Sequence, residues 1–273
     1  MAREYKLLVT DVDGTLLDDD GQVSDETIEA VRSLVDRGVP VVLCTGRSIM
    51  SCRSIVDRLE LQPQHHIFYD GALVGNVSGI DPVRAVYLEP ELIREMVEFA
   101  AEYGIDLELA ALHGSFSERE TWSAFVKRTI FGHPVAIGPL SGIWEREKLI
   151  RASLTVREPG DKERAERFMT RFRDDLVVSP AHSPEFPDVT FFNLLTPGLS
   201  KGQAVKALAK HLGISTGDVM VAGDWLNDIP MMKAAGLAVA MGNAHEDVKA
   251  VADFVTLTAA EHGLAHAIRR FFF

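Results

Sequence analysis

The sequence predicts an α/β protein with a doubly wound parallel sheet as its core and an inserted α+β domain. Short apolar segments alternate with helical segments near both ends of the chain, as in βαβ units. Between about residues 83 and 194 this alternation gives way to a mixed order of strands and helices. Polar residues cluster directly after several apolar segments, where open α/β sheets carry their sites. We therefore expect a Rossmann-like core formed by residues 1–82 and 195–273, with residues 83–194 as the insertion.

The composition is that of a globular protein of 273 residues, with 47% hydrophobic and 25% charged residues. It excludes a disordered or fibrous chain. No segment approaches the roughly 20 apolar residues of a membrane helix. The 40 acidic residues outnumber the 28 basic ones, and the net charge of −12 repels nucleic acid and anionic membranes. We therefore expect neither of these as a partner.

The cysteines and the N-terminal residues bear on the cellular location. Cys44 and Cys52 are the only cysteines, so at most one disulfide can form. The N-terminal segment runs straight into an apolar strand and lacks the zones of a signal peptide. We expect a cytoplasmic protein that is a monomer or a small homo-oligomer.

The first elements follow from apolar runs and from residues that begin and end helices. In order they are a strand over residues 5–10, a helix over 24–37, a strand over 39–44, a helix over 46–59 and a strand over 66–69. Ser24 is a good N-cap for the first helix, and Gly38 is a good stop. Pro40 fits the start of the second strand. Asp70 and Gly71 turn the chain after the third strand.

The inserted part alternates less regularly. Its predicted elements are a strand near residue 84, a helix over 89–103, a strand over 106–112, an irregular stretch up to residue 144, a strand over 150–156, a helix over 161–174, and strands over 176–179 and 189–194. The core pattern then returns as helix 201–212, strand 219–223, helix 227–235, strand 237–240, helix 244–252, strand 254–256 and helix 261–270. The core is therefore discontinuous in sequence.

The first polar group directly follows the first strand. Asp11 and Asp13 lie two residues apart, and residues at this spacing in an extended segment point the same way. Both carboxylates can therefore face one site. Gly14 lets the chain turn and brings backbone N–H groups near an anion. Taken alone, the segment is also compatible with a solvated turn rich in Asp and Gly.

Two further segments are suited to an anion. Thr45, Gly46 and Arg47 follow the second strand at the entry to a helix, where a hydroxyl and backbone amides form a phosphate site. The alternative is that Thr45 is only an N-cap. Lys201 begins a helix, where its positive charge opposes the helix dipole unless an anion is near. The alternative for Lys201 is a lone surface lysine.

A fourth polar group, with Asp224, Asn227 and Asp228, follows the strand over 219–223. A helix cap would explain it alone. Together, however, the four groups bring several carboxylates, a lysine and a hydroxyl to one edge of the sheet. So many like charges repel each other unless a cation binds. Oxygen ligands favour Mg²⁺, which we expect as the cofactor.

These four segments, in this order, resemble the four motifs of the haloacid dehalogenase (HAD) superfamily. The Thr45-Gly46-Arg47 form and the insertion after the second motif resemble its Cof-type phosphatases with a type IIB cap. The resemblance covers essentially the whole chain. There are two departures: Asp70 stands where the family commonly has Asn, and Cys44 where Ala is common. Asp70 is expected to alter a substrate-facing loop, and Cys44 is expected to affect only packing.

The resemblance implies a Mg²⁺-dependent phosphomonoester hydrolase that works through an aspartyl-phosphate. Asp11 is implied as the nucleophile and Asp13 as the general acid and base. The groups implied around the phosphate are Thr45 and Lys201 as catalytic residues and Gly14, Gly46, Arg47 and Asn227 as binding residues. The ligands implied for Mg²⁺ are Asp11, Asp13 through its backbone carbonyl, Asp224 and Asp228.

The substrate implied is a small phosphorylated metabolite, with sugar phosphates as the first expectation. The inserted domain would close over the site as a cap and determine specificity. Its polar candidates for the leaving group are His113, Arg119, Arg128, His133 and His182, whereas Phe116, Trp122 and Phe125 are expected to pack. Two alternatives stay open: a phosphotransferase such as a sugar-phosphate mutase, and a non-catalytic receiver-like module phosphorylated on Asp11.

Overall fold

The computed structural model describes residues 4–61, 64–79, 81–130, 132–183 and 186–273. Residues 1–3, on which part of the expectation about the N-terminal segment rests, lie outside the described part. The chain divides into two compact units. The core unit comprises Met1–Arg47, Cys52–Arg84 and Ser200–Phe273, and the inserted unit comprises Ser48–Ser51 and Ala85–Leu199.

The N-terminal part of the chain forms the strands and helices predicted for it and one further strand. They are β1 (Leu7–Thr10), α1 (Asp25–Asp36), β2 (Val41–Leu43), α2 (Ile49–Arg58), β3 (His66–Phe68), β4 (Leu73–Gly75) and β5 (Arg84–Ala85). Helix α1 begins at the predicted N-cap, where the Ser24 side chain accepts a hydrogen bond from the backbone N–H of Thr27. Strand β4, which the sequence did not predict, pairs antiparallel with β3.

The inserted part is more regular than predicted. It contains α3 (Pro90–Tyr103), β6 (Glu108–Ala111), β7 (Gly114–Ser117), α4 (Trp122–Thr129), β8 (Val135–Ile137), β9 (Arg151–Val156), α5 (Pro159–Arg171), β10 (Val177–Ser183) and β11 (Phe186–Leu195). The prediction of an irregular stretch up to Trp144 is therefore wrong. Strand β7 is formed by pairing with β6, and α4 begins where the Thr121 side chain accepts a hydrogen bond from Ala124 N.

The C-terminal part returns to the core unit. Its elements are α6 (Lys201–His211), β12 (Val219–Gly223), α7 (Ile229–Met232), β13 (Leu237–Ala240), α8 (Glu246–Lys249), β14 (Phe254–Val255) and α9 (Gly263–Phe272). Two helices are shorter than predicted. The helix over 227–235 is a 3₁₀ turn, Leu226–Asp228, followed by α7, and the helix over 244–252 is only α8.

The main sheet of the core unit has the strand order β14-β13-β12-β1-β2, and all its neighbouring strands are parallel. Strand β1 is fully buried and pairs with β12 on one side and β2 on the other. The chain therefore proceeds to one side of β1 first and returns on the other side after the insertion. Such a reversal opens a crevice at the carboxyl ends of the two central strands. The parallel sheet confirms the predicted α/β class and positions the site.

The inserted unit has a sheet of its own, in the order β10-β11-β9-β6-β7-β8. Its neighbouring strands are antiparallel except for the parallel pair β7 and β8. Helices α3 and α5 contribute Ile93 and Phe168 to a buried cluster that includes Leu109 and Leu154 of the sheet. Burying these apolar side chains is the main stabilising contribution in this unit. The mixed sheet confirms the predicted α+β insertion.

No helix within the described residues has the length and apolarity needed to span a membrane.

A buried histidine makes the stability of the core unit sensitive to acid. His66 on β3 is fully buried, and its Nδ1 accepts a hydrogen bond from the backbone N–H of Leu43 at 3.2 Å. Its Nε2 has no hydrogen-bond partner among the described residues. Burial, with a smaller effect of His65, lowers the pKa of His66 to about 3. The folded protein therefore holds this imidazole neutral at pH values where an unfolded chain would protonate it.

We predict that His66 destabilises the fold as the pH decreases below about 6.5, where the unfolded chain binds the proton that the folded chain does not. Its contribution between pH 7 and pH 5 is a loss of about 2 kcal/mol in the free energy of unfolding. The His66→Asn variant keeps an acceptor near Nδ1 but cannot protonate. Urea unfolding at both pH values should show a smaller loss for His66→Asn than for the wild type; equal losses would contradict the prediction.

Candidate active site

The predicted site residues of the core unit lie at the carboxyl ends of its central strands. Asp11 directly follows β1, and Asp224 directly follows β12. Asp228 lies in the 3₁₀ turn after β12, and Lys201 is the first residue of α6, whose N-cap is Ser200. The topology therefore brings together residues from three separate parts of the sequence, as predicted.

Lys201 is the centre of this group. Its Nζ donates hydrogen bonds to Asp11 Oδ1 at 2.7 Å and to Asp228 Oδ1 at 2.6 Å. The lysine side chain is only 1% exposed, and both carboxylates are buried. A buried cation is stable only when it is paired and hydrogen-bonded. The alternative of a lone surface lysine is therefore wrong: Lys201 is an internal counter-charge for two acids.

The turn after β12 is fixed by backbone hydrogen bonds to Asp228. Its second oxygen, Oδ2, accepts from the N–H groups of Asp224 at 2.9 Å and Trp225 at 3.0 Å. Gly223 permits this approach, because a Cβ at that position would lie 2.5 Å from Asp228 Oδ2. The helix-cap interpretation of this segment is thus partly correct, since Asp228 caps the turn and also binds Lys201.

The turn after β1 holds Asp224 from the other side. The Thr15 hydroxyl donates to Asp224 Oδ1 at 2.8 Å. Gly14 has a φ of 73°, and a Cβ there would lie 2.5 Å from Asp224 Oδ2, so only glycine fits. The Asn243 side-chain amide donates to the carbonyl of Gly14 at 2.8 Å. Neither Thr15 nor Asn243 has a role predicted from the sequence, although Thr15 lies within the first motif.

The acids of this cluster repel one another. Burial and the charge of Asp228 raise the pKa of Asp11 well above its ordinary value, although Lys201 acts in the opposite direction. Burial and Asp228 also raise the pKa of Asp224 to about 7. Burial alone would lower the pKa of Lys201, but Asp11 and Asp228 raise it well above its ordinary value. With all three carboxylates ionised, the cluster would carry more negative charge than its one lysine neutralises.

These acids fit a divalent cation. Asp11, Asp224 and Asp228 each offer a carboxylate oxygen within 4.8 Å of the others, and all three side chains are buried. The donor set consists of oxygens only, as Mg²⁺ prefers. A bound cation would also relieve the repulsion that raises the pKa values of Asp11 and Asp224.

Asp13 and Arg47 form an ion pair at the same edge of the sheet. Arg47 donates from Nε to Asp13 Oδ2 at 2.9 Å and from a terminal nitrogen to Asp13 Oδ1 at 2.5 Å. The pair is partly exposed. Such two-pronged bonds fix both side chains. The structure therefore brings the predicted acid and the predicted phosphate ligand together, with each bound to the other.

The turn that carries Thr45 and Gly46 is held by the segment after β3. The backbone N–H of Asp70 donates to the carbonyl of Thr45 at 3.0 Å, and the N–H of Arg47 donates to the Thr45 hydroxyl at 3.0 Å. Asn227 donates from its amide to Asp70 Oδ1 at 2.9 Å. Asn227, expected from the resemblance to be a phosphate-binding residue, thus contacts the carboxylate of Asp70.

The polar candidates of the inserted unit have partners within that unit. Arg119 binds Asp106 at 2.7 Å, and Arg128 binds Glu120 at 2.6 Å. His133 Nε2 lies 2.8 Å from the Ser115 hydroxyl, and His113 lies 3.6 Å from Glu147. The side chain of His182 lies outside the described part.

The expectation for the aromatic residues of this unit is met only in part. Trp122 packs against Phe191 in a stacked arrangement with ring centroids 6.4 Å apart, and Phe116 packs against the hydrophobic cluster of the inserted unit. Phe125, expected to pack, is instead 53% exposed. The correction follows from the helix face: Ala124 and Val126 of α4 are buried, whereas Phe125 between them points outward.

Comparison with known proteins gives a consistent assignment. Residues 8–268 match the haloacid dehalogenase-like hydrolase family. The chain is 31% identical over 270 residues to the 5-amino-6-(5-phospho-D-ribitylamino)uracil phosphatase YcsE of Bacillus subtilis, covering 97% of this chain and 95% of the relative. The predicted resemblance to the HAD superfamily is thereby confirmed.

Solved structures agree with that match. The HAD phosphatase BT1666 from Bacteroides thetaiotaomicron aligns with a TM-score of 0.80 and 30% identity over 98% of this chain and 95% of its own. The HAD subclass IIB sugar phosphatase BT4131 aligns with a TM-score of 0.79 over 97% of this chain and 98% of its own. At 23% identity, the second likeness concerns the fold alone.

We predict that Mg²⁺ stabilises the protein through the acidic cluster. At a concentration of about 100 times the dissociation constant, it should add about 2.7 kcal/mol to the free energy of unfolding, on the order of 5 °C in melting temperature. The Asp224→Asn variant should lose most of this gain in stability. In EDTA its melting temperature should be no lower than that of the wild type, because the substitution also removes a buried charge that other acids repel. Asp218→Asn, outside the cluster, is the control. An unchanged Mg²⁺ response in Asp224→Asn would contradict the assignment.

Proposed function

We propose that this chain, which belongs to the haloacid dehalogenase-like hydrolase family, hydrolyses small phosphomonoesters through an aspartyl-phosphate on Asp11. The chain is a phosphatase of that family. The observation that carries the proposal is the position of Asp11. Its carboxylate lies at the end of β1, bound to Lys201 and close to two further acids. A carboxylate nucleophile needs neutralisation of charge more than removal of a proton.

The proposed reaction has two steps. In the first, an Asp11 oxygen attacks the phosphorus, the bond from phosphorus to the ester oxygen breaks, and Asp13 gives a proton to the leaving alkoxide. In the second, Asp13 takes a proton from water, whose oxygen attacks the phosphorus and releases inorganic phosphate from Asp11. Lys201 keeps its positive charge throughout and stabilises the negative charge on the transferring group.

Asp13 is bound to Arg47 in the structure, so the proposal requires this ion pair to open. To act as an acid, Asp13 must reach the leaving oxygen, and in the structure Arg47 holds both of its carboxylate oxygens. We infer that Arg47 moves from Asp13 to the phosphate when the substrate binds. This single change would supply both the free acid and the predicted phosphate ligand.

The proposed cofactor is Mg²⁺. Asp11, Asp224 and Asp228 would hold it through their side chains, and Asp13 through its backbone carbonyl. When bound, it supplies charge neutralisation for the phosphoryl group, which is the main assistance that phosphoryl transfer needs. The three side chains already lie close enough together to share one ion.

The remaining residues would bind the phosphate oxygens. Thr45 would contribute its hydroxyl and Gly46 its backbone amide, since both follow β2 at the same edge of the sheet. Gly14 would keep the turn after Asp13 compact. Asn227 would support this group through its hydrogen bond to Asp70.

The proposed substrate is a small phosphorylated metabolite whose leaving group is a sugar or another polyol. A relative of 31% identity is named for an ester of this kind, a phosphorylated ribityl compound. We further propose residues 83–194 as the domain that selects the leaving group. The net charge of −12 supports the absence of nucleic acid as a partner. The free thiols of Cys44 and Cys52 support a reducing, cytoplasmic location.

We predict that purified protein releases phosphate from a panel of small phosphomonoesters only when Mg²⁺ is present. Asp11→Asn removes the nucleophile and should lower kcat by about 10⁴-fold or more. Asp25→Asn, at the start of α1, removes a carboxylate outside the site and should leave the rate unchanged. Full activity of Asp11→Asn, with its fold intact by circular dichroism, would refute the proposed nucleophile.

We also predict that Asp13→Asn separates the two steps. Protonation matters most for a poor leaving group, so hydrolysis of an alkyl phosphate should slow by about 10²- to 10⁴-fold. The p-nitrophenolate of p-nitrophenyl phosphate, an aryl phosphate, leaves without needing a proton. The first step with this ester should therefore remain fast. Rapid mixing should then show a burst of p-nitrophenol followed by slow turnover. Equal losses for both esters, without a burst, would contradict the assignment of Asp13.

A further inference from the structure

The turn that follows β13, residues 241–245, supplies no group to the proposed reaction but is bound to the turn that carries Asp224. The backbone N–H of Met241 donates to the carbonyl of Gly223 at 3.1 Å. The backbone N–H of His245 donates to the carbonyl of Asp224 at 2.9 Å. The 241–245 turn therefore fixes the backbone of this acid from outside the acidic cluster.

Asn243 connects the 241–245 turn to the segment after β1 as well. Its side-chain amide donates to the carbonyl of Gly14 at 2.8 Å, although the two residues are 229 positions apart in sequence. Its side-chain oxygen accepts from the backbone N–H of Ala259 at 2.9 Å. Both polar ends of the side chain are thus engaged, which fixes the direction of the amide even though the residue is exposed.

The carbonyl of Gly14 is close to the carboxylate of Asp224. It belongs to the same planar peptide group as the N–H of Thr15, so fixing the carbonyl also fixes the start of Thr15. The Thr15 hydroxyl donates to Asp224 Oδ1 at 2.8 Å. Gly14 lies against the other oxygen, because a Cβ there would be 2.5 Å from Asp224 Oδ2. A shift of the Gly14 peptide would therefore move the surroundings of both oxygens of Asp224.

We propose that Asn243 is a positioning residue that orients the Asp224 carboxylate for Mg²⁺ through Gly14 and Thr15. The inference rests on the proposed function, because it takes Asp224 as a magnesium ligand. Asn243 supplies no ligand of its own. Groups that orient metal ligands in this way contribute about 10- to 100-fold to metal affinity, because the ligand is held in its binding geometry before the ion arrives.

The test compares Mg²⁺ binding by the wild type and Asn243→Ala, measured by titration calorimetry on the full chain. Alanine removes the donor to Gly14 and adds neither bulk nor charge at this exposed turn. We expect Asn243→Ala to bind Mg²⁺ about tenfold more weakly than the wild type. An unchanged dissociation constant for Mg²⁺ would overturn the proposal.

A double-mutant cycle shows whether the effect passes through Thr15. Thr15→Val keeps the shape of the side chain but removes the hydroxyl that binds Asp224, so it should also weaken Mg²⁺ binding. If Asn243 acts through that hydroxyl, Asn243→Ala should weaken binding by a smaller factor in the Thr15→Val protein than in the wild type. Equal factors in the two backgrounds would contradict this path and overturn the proposal.

Asn76→Ala is the matched control. Asn76 follows β4 in the core unit, and its side-chain oxygen accepts from the backbone N–H of Ser78 at 3.0 Å. This variant also loses a hydrogen bond within a turn, but it should bind Mg²⁺ as tightly as the wild type. Melting temperatures in EDTA report any general loss of stability, which does not by itself change the Mg²⁺ affinity of the folded protein. If Asn243→Ala does not fold, Asn243→Ser, whose side chain is one bond too short for the Gly14 carbonyl, replaces it.

Failure of this inference is separable from failure of the proposed function, because calorimetry requires no turnover. If the wild type binds Mg²⁺ and hydrolyses phosphomonoesters, and Asn243→Ala binds Mg²⁺ equally tightly, only the role of Asn243 is wrong. If the wild type itself binds no Mg²⁺, the proposed magnesium site is wrong and this inference is overturned with it.

Discussion

The buried lysine at the start of α6 is the interaction on which the site depends. Lys201 binds Asp11 and Asp228 in the interior, where each ion alone would be costly to bury. The bond to Asp11 connects residues 190 positions apart in sequence and the bond to Asp228 residues 27 apart, so the site forms only when β1, β12 and α6 have assembled. Because two acids share one lysine and Asp224 lies beside them, the group is still short of positive charge. The missing positive charge favours binding of a metal ion, and the metal ion in turn can bind a phosphoryl group.

Glycine and short polar side chains set the geometry around that lysine. Gly14 and Gly223 allow Asp224 and Asp228 to approach the backbone, where any Cβ would collide with them. Thr15 orients Asp224 through a hydrogen bond. The ion pair of Asp13 with Arg47 is partly exposed, and the carboxylate of Asp70 lies next to the backbone of Gly46. The core unit thus holds its acids rigidly and leaves one ion pair, on the partly exposed side, to respond to a ligand.

Much of the core unit could be predicted from sequence because its signals are local. Apolar runs marked β1, β2 and β12, and polar residues at their ends marked Asp11, Thr45 and Asp224. The contacts between these groups could not be predicted, because Thr15 to Asp224 and Asn227 to Asp70 join residues far apart in sequence. The inserted unit was predicted less well. Strand β7 has weak β propensity and forms because β6 pairs with it, and α7 is short because a 3₁₀ turn capped by Asp228 precedes it.

The central claim is that Asp11 carries the phosphoryl group during turnover. The most direct measurement starts the reaction with a phosphomonoester and Mg²⁺ and quenches it rapidly during turnover. The acyl-phosphate is then reduced with borohydride, and peptide mass spectrometry locates the reduced residue. The account predicts reduction at residue 11 only, appearing during turnover and lost once the substrate is exhausted. Reduction at another residue would contradict this account. So would the absence of any reduced residue while the enzyme turns over under conditions that slow the second step.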